Sequence, residues 1–261
     1  MSLPHPAIDA TDLSYAYPEG ARALDGVTFR VAVGESVGLV GPNGAGKTSL
    51  FLCLSGVLAP QGGSLHVAGL DLRDGGQRRK LPAHVGIVFQ NRDDQLFNAT
   101  VFDDVAFGPL NLGLPPDEVR ARVAEALGRV GLTGMDDRVP YRLSGGEKRR
   151  AALAGVLAMR PEILLLDEPT MFLDPRGRRE LADFLSTLPG TKIIATHDLE
   201  FVLATCGRAL VLDGGQTAAD GPAREVLAVF ETMERHGLEV PWSLRPLAAS
   251  RADRTKPQAA P

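Results

Sequence analysis

Residues 41–48 read Gly-Pro-Asn-Gly-Ala-Gly-Lys-Thr, and no other stretch leaves this chain fewer ways to fold. They follow the apolar run Val37-Gly38-Leu39-Val40 and precede Leu50-Phe51-Leu52, so the order is strand, tight loop, helix. Glycines at 41, 44 and 46 let such a loop take positive φ and turn its N–H groups onto phosphate oxygens, while the following helix aims its positive end at the same point. Lys47 can reach β- and γ-phosphates as a point charge, and the Thr48 hydroxyl is placed for Mg2+. That context requires an α/β fold, and the rest of the chain has to supply its sheet.

Several runs do so. Ile163-Leu164-Leu165-Leu166 is uninterrupted by any polar residue and leads into Asp167-Glu168-Pro169; it predicts a strand covered on both faces, with two carboxylates emerging at its edge. Adjacent carboxylates there point different ways, Asp167 toward Mg2+ and Glu168 toward an attacking water. Val85 to Phe89 ends on Gln90, and Lys192 to Thr196 ends on His197. Residues at the carboxyl ends of strands in an α/β sheet face the ligand crevice, although an ordinary polar loop residue or a solvated histidine has the same local appearance. Ahead of the loop, Ile8 to Val33 is rich in β-formers and broken at Pro18-Glu19-Gly20, which predicts an antiparallel sheet. Tyr17 stands just before that turn, where its ring can stack on a purine or simply pack, with Tyr15 on the same strand face.

Ser64 to Val67 reads as a further strand, and 71–83 as a polar, Gly-rich excursion. Residues 100–160 change to helices: Val119, Val123, Leu127 and Val130 recur at helical spacing behind Pro115-Pro116-Asp117-Glu118. This insertion ends in Leu143-Ser144-Gly145-Gly146-Glu147, where Ser144 and Glu147 have the spacing of a capping box. Two glycines in the first turn cost helix stability, and they make sense where the helix start must admit another molecule's phosphates. Leu181, Phe184, Leu185 and Leu188 form a helix face. Ala209 to Leu212 is a strand with a hairpin turn at 213–216, and Pro222 opens a helix running to His236. Past residue 245 the Ala, Arg, Pro and Gln composition reads as a flexible tail, 246–261.

The bounds are consistent with a folded protein. Hydrophobic residues make up 44% of 261, enough for a core. With 28 basic against 32 acidic residues the net charge is −4, and no long basic run points to nucleic acid. Cys53 and Cys206 lie in apolar stretches and read as buried free thiols in a reducing compartment. The first residues lack the basic and apolar regions of a secretory signal, and the longest uncharged apolar stretch, 48–60, is too short to span a bilayer. Work at a membrane would therefore require a partner.

Taken together, these residues resemble the ATP-binding-cassette (ABC) ATPase subunits over about residues 7–240. Six motifs occur in that family's order: the aromatic Tyr17, the Walker A loop 41–48, Gln90, the signature 143–147, the Walker B strand 163–168 and His197. The segment from Val88 to Phe97, with Thr100-Val101 and 104–113, more narrowly resembles the ATPases of energy-coupling-factor importers, especially those for cobalt or nickel. The resemblance implies one ABC ATPase domain over 7–245. Its parts would be a P-loop core with an N-terminal antiparallel β subdomain (7–90 and 160–221), a helical signature subdomain (91–159) and a C-terminal helix (222–240). It implies ATP and Mg2+ as cofactors, with Tyr17, Gly41, Pro42, Asn43, Gly44, Ala45, Gly46, Lys47, Thr48 and Ser49 on the nucleotide. Ser144, Gly145, Gly146 and Asp174 would close on the nucleotide from a second ATPase subunit, a homodimer being favoured. Glu168, His197, Lys47 and Gln90 would be catalytic, and Thr48, Gln90 and Asp167 would hold the metal. Gln90 would also connect to a groove for a helix of a transmembrane coupling subunit, lined by Asp93, Asp94 and Gln95 in the segment Gln90 to Phe97, which places the chain peripherally on the cytoplasmic face of the membrane. One departure is visible: where the family carries small residues before the Leu-Asp that follows Walker B, Met171 and Phe172 precede Leu173-Asp174.

Two other classes fit less of this pattern. A soluble ABC-type ATPase acting on nucleic acid or ribosomes would carry a long coiled coil after Walker A or two cassettes, and each motif here occurs once with no sustained heptads. A small-molecule P-loop kinase would leave the Ser-Gly-Gly helix start unexplained.

Overall fold

The computed structural model describes residues 5–91 and 95–245. Its first sheet is antiparallel. Strands β1 (Ile8–Ala16) and β2 (Arg22–Val31) form a hairpin around the Pro18 turn, and β4 (Gly62–Val67) and β5 (Leu70–Asp71) extend it in the order β2-β1-β4-β5. Alternation decides which face packs, with Ile8 and Ala10 of β1 and Val27, Phe29 and Val31 of β2 buried, and a register shift between Ala10 and Leu13 returns Leu13 to the buried face.

The second sheet carries the phosphate loop. Its order is β10-β9-β3-β8-β7-β6, built from β3 (Ser36–Val40), β6 (Val85–Val88), β7 (Ile163–Asp167), β8 (Thr191–Ala195), β9 (Arg208–Asp213) and β10 (Gln216–Pro222). All neighbouring pairs are parallel except β10 on β9. Every residue of β7 and of β8 is buried, as expected for strands covered on both sides. Helix α1 (Lys47–Leu54) follows β3, and the α/β fold expected from the sequence is present: a mixed sheet with helices, joined to an antiparallel sheet.

The polar excursion contains a small capped turn. Asp74 accepts from the Gly76 N–H at 2.7 Å and starts α2 (Gly75–Arg78), while buried Leu72 and Leu81 anchor its two ends. Between β6 and β7 the chain makes α3 (Val101–Asn111), α4 (Pro116–Arg129) and α5 (Gly145–Leu157). Val119, Val123, Ala126 and Leu127 form the buried stripe of α4. Asp174 caps α6 (Pro175–Thr187) by accepting from the Gly177 N–H at 2.7 Å, and Asp198 caps α7 (Leu199–Thr205).

The long helix expected from Pro222 to His236 is not formed. Pro222 ends β10, and the chain makes two short helices, α8 (Ala223–Val226) and α9 (Phe230–Arg235). Leu227 and Met233 explain the break: both are fully buried, yet on one continuous helix six residues would set them roughly 120° apart. Interrupting the helix turns both inward. The expected tail 246–261 lies outside the described residues. Among those described, no helix is long and apolar enough to cross a membrane, and both cysteines are buried free thiols, their pKa values pushed by burial to about 12 for Cys53 and about 11 for Cys206.

Candidate active site

Strand order brings four loops to one place. β3 lies between β8 and β9, with β7 and β6 beyond β8, so the loops leaving the carboxyl ends of β3, β6, β7 and β8 open on the same edge. A cavity of about 840 Å3 lies there. Tyr17, all of 41–49, Gln90, Asp167, Glu168 and His197 line it. Residues 100 or more positions apart in sequence therefore share one surface.

The loop itself needs its glycines. Gly41 has φ 153°, and a Cβ there would sit 2.0 Å from the Leu212 carbonyl oxygen; Gly46, at φ 101°, approaches the Ala23 carbonyl as closely as 2.4 Å by the same measure. The β9 strand and the β2 start thus press on the loop from behind. Lys47 folds back, donating to the carbonyls of Gly41 at 2.6 Å and Pro42 at 2.9 Å. Burial lowers its pKa, and the nearby carboxylates of Glu168 and Asp167 oppose the shift. The Tyr17 hydroxyl lies 3.1 Å from that of Ser49, and its ring meets Tyr15 edge to face at 5.2 Å.

The two carboxylates diverge. Asp167 is buried, and its pKa is pushed up to about 6, first by desolvation and then by the charge of Glu168, with Lys47 pulling the other way. Glu168 takes a left-handed backbone, φ 46°, which swings its side chain toward the end of β8. There it accepts from the Thr196 hydroxyl at 3.1 Å and the His197 N–H at 3.4 Å, and lies 2.9 Å from His197 Nδ1. The His197 ring is 71% exposed to the cavity side.

The donor set fits a small hard cation. Asp167, Thr48 and Gln90 offer only oxygen ligands, and the raised Asp167 pKa marks negative charge that protein groups have not fully neutralised. No cluster of three His, Cys, Asp or Glu that could hold a metal by itself exists among the described residues. A cation at this edge would take the rest of its shell from phosphate and water.

Other expected residues stand apart. Ser144 starts α5 with a complete capping box: its hydroxyl accepts from the Glu147 N–H, and the Glu147 carboxylate accepts from its N–H at 2.7 Å. The Ser144 hydroxyl, 2.6 Å from the same carboxylate oxygen, and then the Ser144 N–H hold the Glu147 pKa low. Ser144, Gly145, Gly146 and Asp174 do not line the Lys47 cavity; Gly145 borders a separate one of about 420 Å3, shared with Gln90, Met171 and Phe172. Asp93 and Asp94 lie outside the described residues. Gln95 is tied down, accepting from the Phe89 N–H at 2.9 Å and donating to the Ile87 carbonyl at 3.1 Å.

Some lining residues were not anticipated. Ala21, Arg22 and Ala23 border the cavity because Arg22 pairs opposite Ala16 across the Pro18 turn; the hairpin after Tyr17 was the available signal. Gly237 and Leu238 reach it from the far end of the chain, where nothing local announces them.

The ABC transporter family profile matches residues 24–171. The chain belongs to the ABC transporter ATPase family. Relatives of this ABC ATPase span nearly its whole length. A Geobacter sulfurreducens protein assigned to ABC transporter ATP binding is 50% identical over 246 residues, 93% of this chain and 97% of that one. The energy-coupling factor transporter ATP-binding protein EcfA of Methanothermobacter thermautotrophicus is 47% identical over 239 residues, 90% of this chain and 76% of its own. Among solved structures, cbiO1 of Clostridium perfringens, part of the ABC transporter complex cbiONQ, shares 38% identity at a TM-score of 0.78, covering 88% of this chain and 94% of that one. A dimeric ATP-binding cassette in a post-hydrolysis state with ADP and Pi shares 25% identity at a TM-score of 0.74, over 83% and 98% of the two chains. This ABC ATPase is thus an ATP-binding, ATP-hydrolysing subunit of the transporter class.

Proposed function

We propose that this ABC ATPase works as a homodimer on the cytoplasmic face of a membrane, powering an importer for a transition metal ion, cobalt or nickel, or for a vitamin, through a transmembrane coupling subunit. The observation that carries the dimer is the separation within one chain: Lys47, Asp167, Glu168 and His197 share a cavity that the Ser144 helix start does not reach. In this reading Tyr17 stacks on the base, and the N–H groups of Gly41 to Ser49 with Lys47 neutralise one side of the triphosphate. Ser144, Gly145 and Gly146 of a second copy then close the other side, excluding water, and Asp174 sits where the two copies cross. When bound, Mg2+ supplies charge neutralisation at the β- and γ-phosphates, with Thr48, Gln90 and Asp167 as its protein ligands. Glu168 orients the attacking water, and His197 contacts the γ-phosphate while holding the Glu168 carboxylate at its Nδ1. Positioning and charge stabilisation are what a loose phosphoryl transition state requires.

The solute side rests on the EcfA and cbiO1 likenesses and on a groove. A hollow of about 430 Å3 beside Gln95 exposes Phe97 and Phe107, whose rings meet at 5.1 Å, above the buried Asp104 carboxylate. Asp104 Oδ1 accepts from Phe97 and Asn98, while its Oδ2 has no hydrogen-bond partner among the described residues. An apolar trough suits the apolar face of a partner helix, and in this reading Asp93 or Asp94 pairs with an arginine of that partner. Domain roles follow: the core 7–90 with 160–221 holds nucleotide and the helical part 91–159 carries the signature. The test is ATPase activity per subunit against concentration. Turnover should fall steeply on dilution below the dimer dissociation constant, and equal turnover in a dilute monomer refutes the shared site. Co-purification with a transmembrane coupling subunit, lost on charge reversal at Asp93 or Asp94, tests the membrane assignment.

A further inference from the structure

Met171 touches three parts of the site at once. Its side-chain sulfur accepts from the Gln90 amide, Nε2 to Sδ 3.1 Å. Its N–H donates to the Glu168 carbonyl at 3.2 Å, and its own carbonyl accepts from the Arg149 guanidinium on α5. The main chain is therefore fixed on both sides of the residue, by the turn that carries Glu168 and by the helix that begins at Ser144. The thioether springs from a rigid point at the border of the Lys47 cavity and the one beside Gly145.

The chemistry of that sulfur decides which way Gln90 faces. A thioether has no proton to give and is a weak acceptor, so only the NH2 end of an amide can turn to it. With Nε2 on Met171, the carbonyl Oε1 is committed to the opposite end of the amide plane. Oε1 is also the only side-chain atom of Gln90 able to ligate a hard cation. A glutamine at an open strand end otherwise samples both amide orientations, and only one of them is productive.

We propose that Met171 is a positioning residue that orients the Gln90 amide so that its carbonyl is presented to the divalent cation. The inference rests on the cation role assigned to Gln90 under Proposed function. The Arg149 contact makes the position of Met171, and hence of Gln90, follow the signature helix of the same chain.

The test uses the full chain with a nonhydrolysable ATP analogue and Mn2+ as the probe, its binding read by electron paramagnetic resonance, with Mg2+-dependent ATPase measured alongside. Met171→Leu keeps the volume and both main-chain contacts but removes the acceptor. It should raise the Mn2+ dissociation constant roughly three- to tenfold, with an unchanged melting temperature. Met171→Gln, which restores an acceptor oxygen at similar reach, should return the constant to within about twofold of the parent. In a Gln90→Ala background the Met171→Leu effect should vanish, because both changes then act on one missing ligand. A parent-like Mn2+ constant in Met171→Leu, while Gln90→Ala is impaired, overturns the positioning role alone. The same loss from Met171→Leu with and without Gln90 also overturns it. A parent-like Gln90→Ala overturns the cation role of Gln90 itself, and the inference with it.

Discussion

Asp167 sets the chemistry of the site against the stability of the fold. Its carboxyl is buried at the end of β7 beside Glu168, with Lys47 as the opposing charge, and its pKa is pushed up to about 6. In the unfolded chain it ionises near pH 4, about the ordinary value. Since the folded pKa is the higher of the two, the native state binds the proton more tightly. Stability is then lost as pH rises from about 4 to about 6 and stays low above that window. The ionised carboxylate costs the nucleotide-free chain roughly 3 kcal/mol at pH 7.5 and about half as much at pH 5. Asp167→Asn removes the charge at nearly constant shape. At pH 7.5 it should raise the melting temperature by roughly 5–10 °C for a chain of this size, with a clearly smaller gain at pH 5, while ATP turnover collapses. Scanning calorimetry in EDTA at the two pH values, paired with phosphate release, checks both halves. A melting temperature that is unchanged or lower at pH 7.5, or a gain of equal size at both pH values, refutes the argument that Asp167 is a strained buried anion. Mg2+ with a nonhydrolysable nucleotide should stabilise the parent chain more than the variant, because only the parent has that charge to neutralise.

Three further changes separate the parts of the site. Glu168→Gln keeps the acceptor for Thr196 while losing the carboxylate, so ATP should still bind and dimers accumulate on size-exclusion chromatography while turnover falls by roughly 100-fold or more; unaltered phosphate release would remove Glu168 from the mechanism. Ser144→Ala breaks the cap of α5, costing about 1 kcal/mol by chemical denaturation, and should leave nucleotide affinity of the dilute monomer intact while abolishing turnover at high concentration. Gly41→Ala drives a Cβ into the Leu212 carbonyl at 2.0 Å and should destabilise the chain by about 3 kcal/mol or more, with loss of ATP binding by calorimetry.

What the sequence made legible was local. Lys47, Asp167 and His197 could be placed because each follows a short apolar run whose length and branching mark a buried strand, and parallel strands in one sheet end on one side. The capping box at Ser144 was likewise readable from a four-residue spacing. The unanticipated features depend on packing between distant segments. Gln90 meets Met171 across 81 positions, and Gly237 reaches the phosphate loop from the C-terminal region, near Pro42. The interrupted helix after Pro222 belongs to the same class: the residues between 222 and 236 read as one helix, and only the need to bury Leu227 and Met233 against the same body divides it.

The backbone of the β7–α6 loop ties these points together. Glu168 and Phe172 both take left-handed φ, 46° and 61°, a conformation that non-glycine residues hold only where their surroundings over-determine it. Around Glu168 those surroundings are specific. Its N–H donates to the Ala195 carbonyl at 2.8 Å, its carbonyl accepts from Met171, and its side chain accepts from Thr196. The left-handed turn sends the Glu168 side chain to Thr196 and His197 at the end of β8, while Asp167 stays buried at the end of β7, and the charges of both carboxylates act on Lys47. An extended backbone at 168 would carry the glutamate away from the end of β8 and leave His197 without its carboxylate. The same turn delivers Met171 to Gln90 and to the Arg149 side chain on α5, so the strain that separates the two acids also connects the site to the helix a second copy would contact.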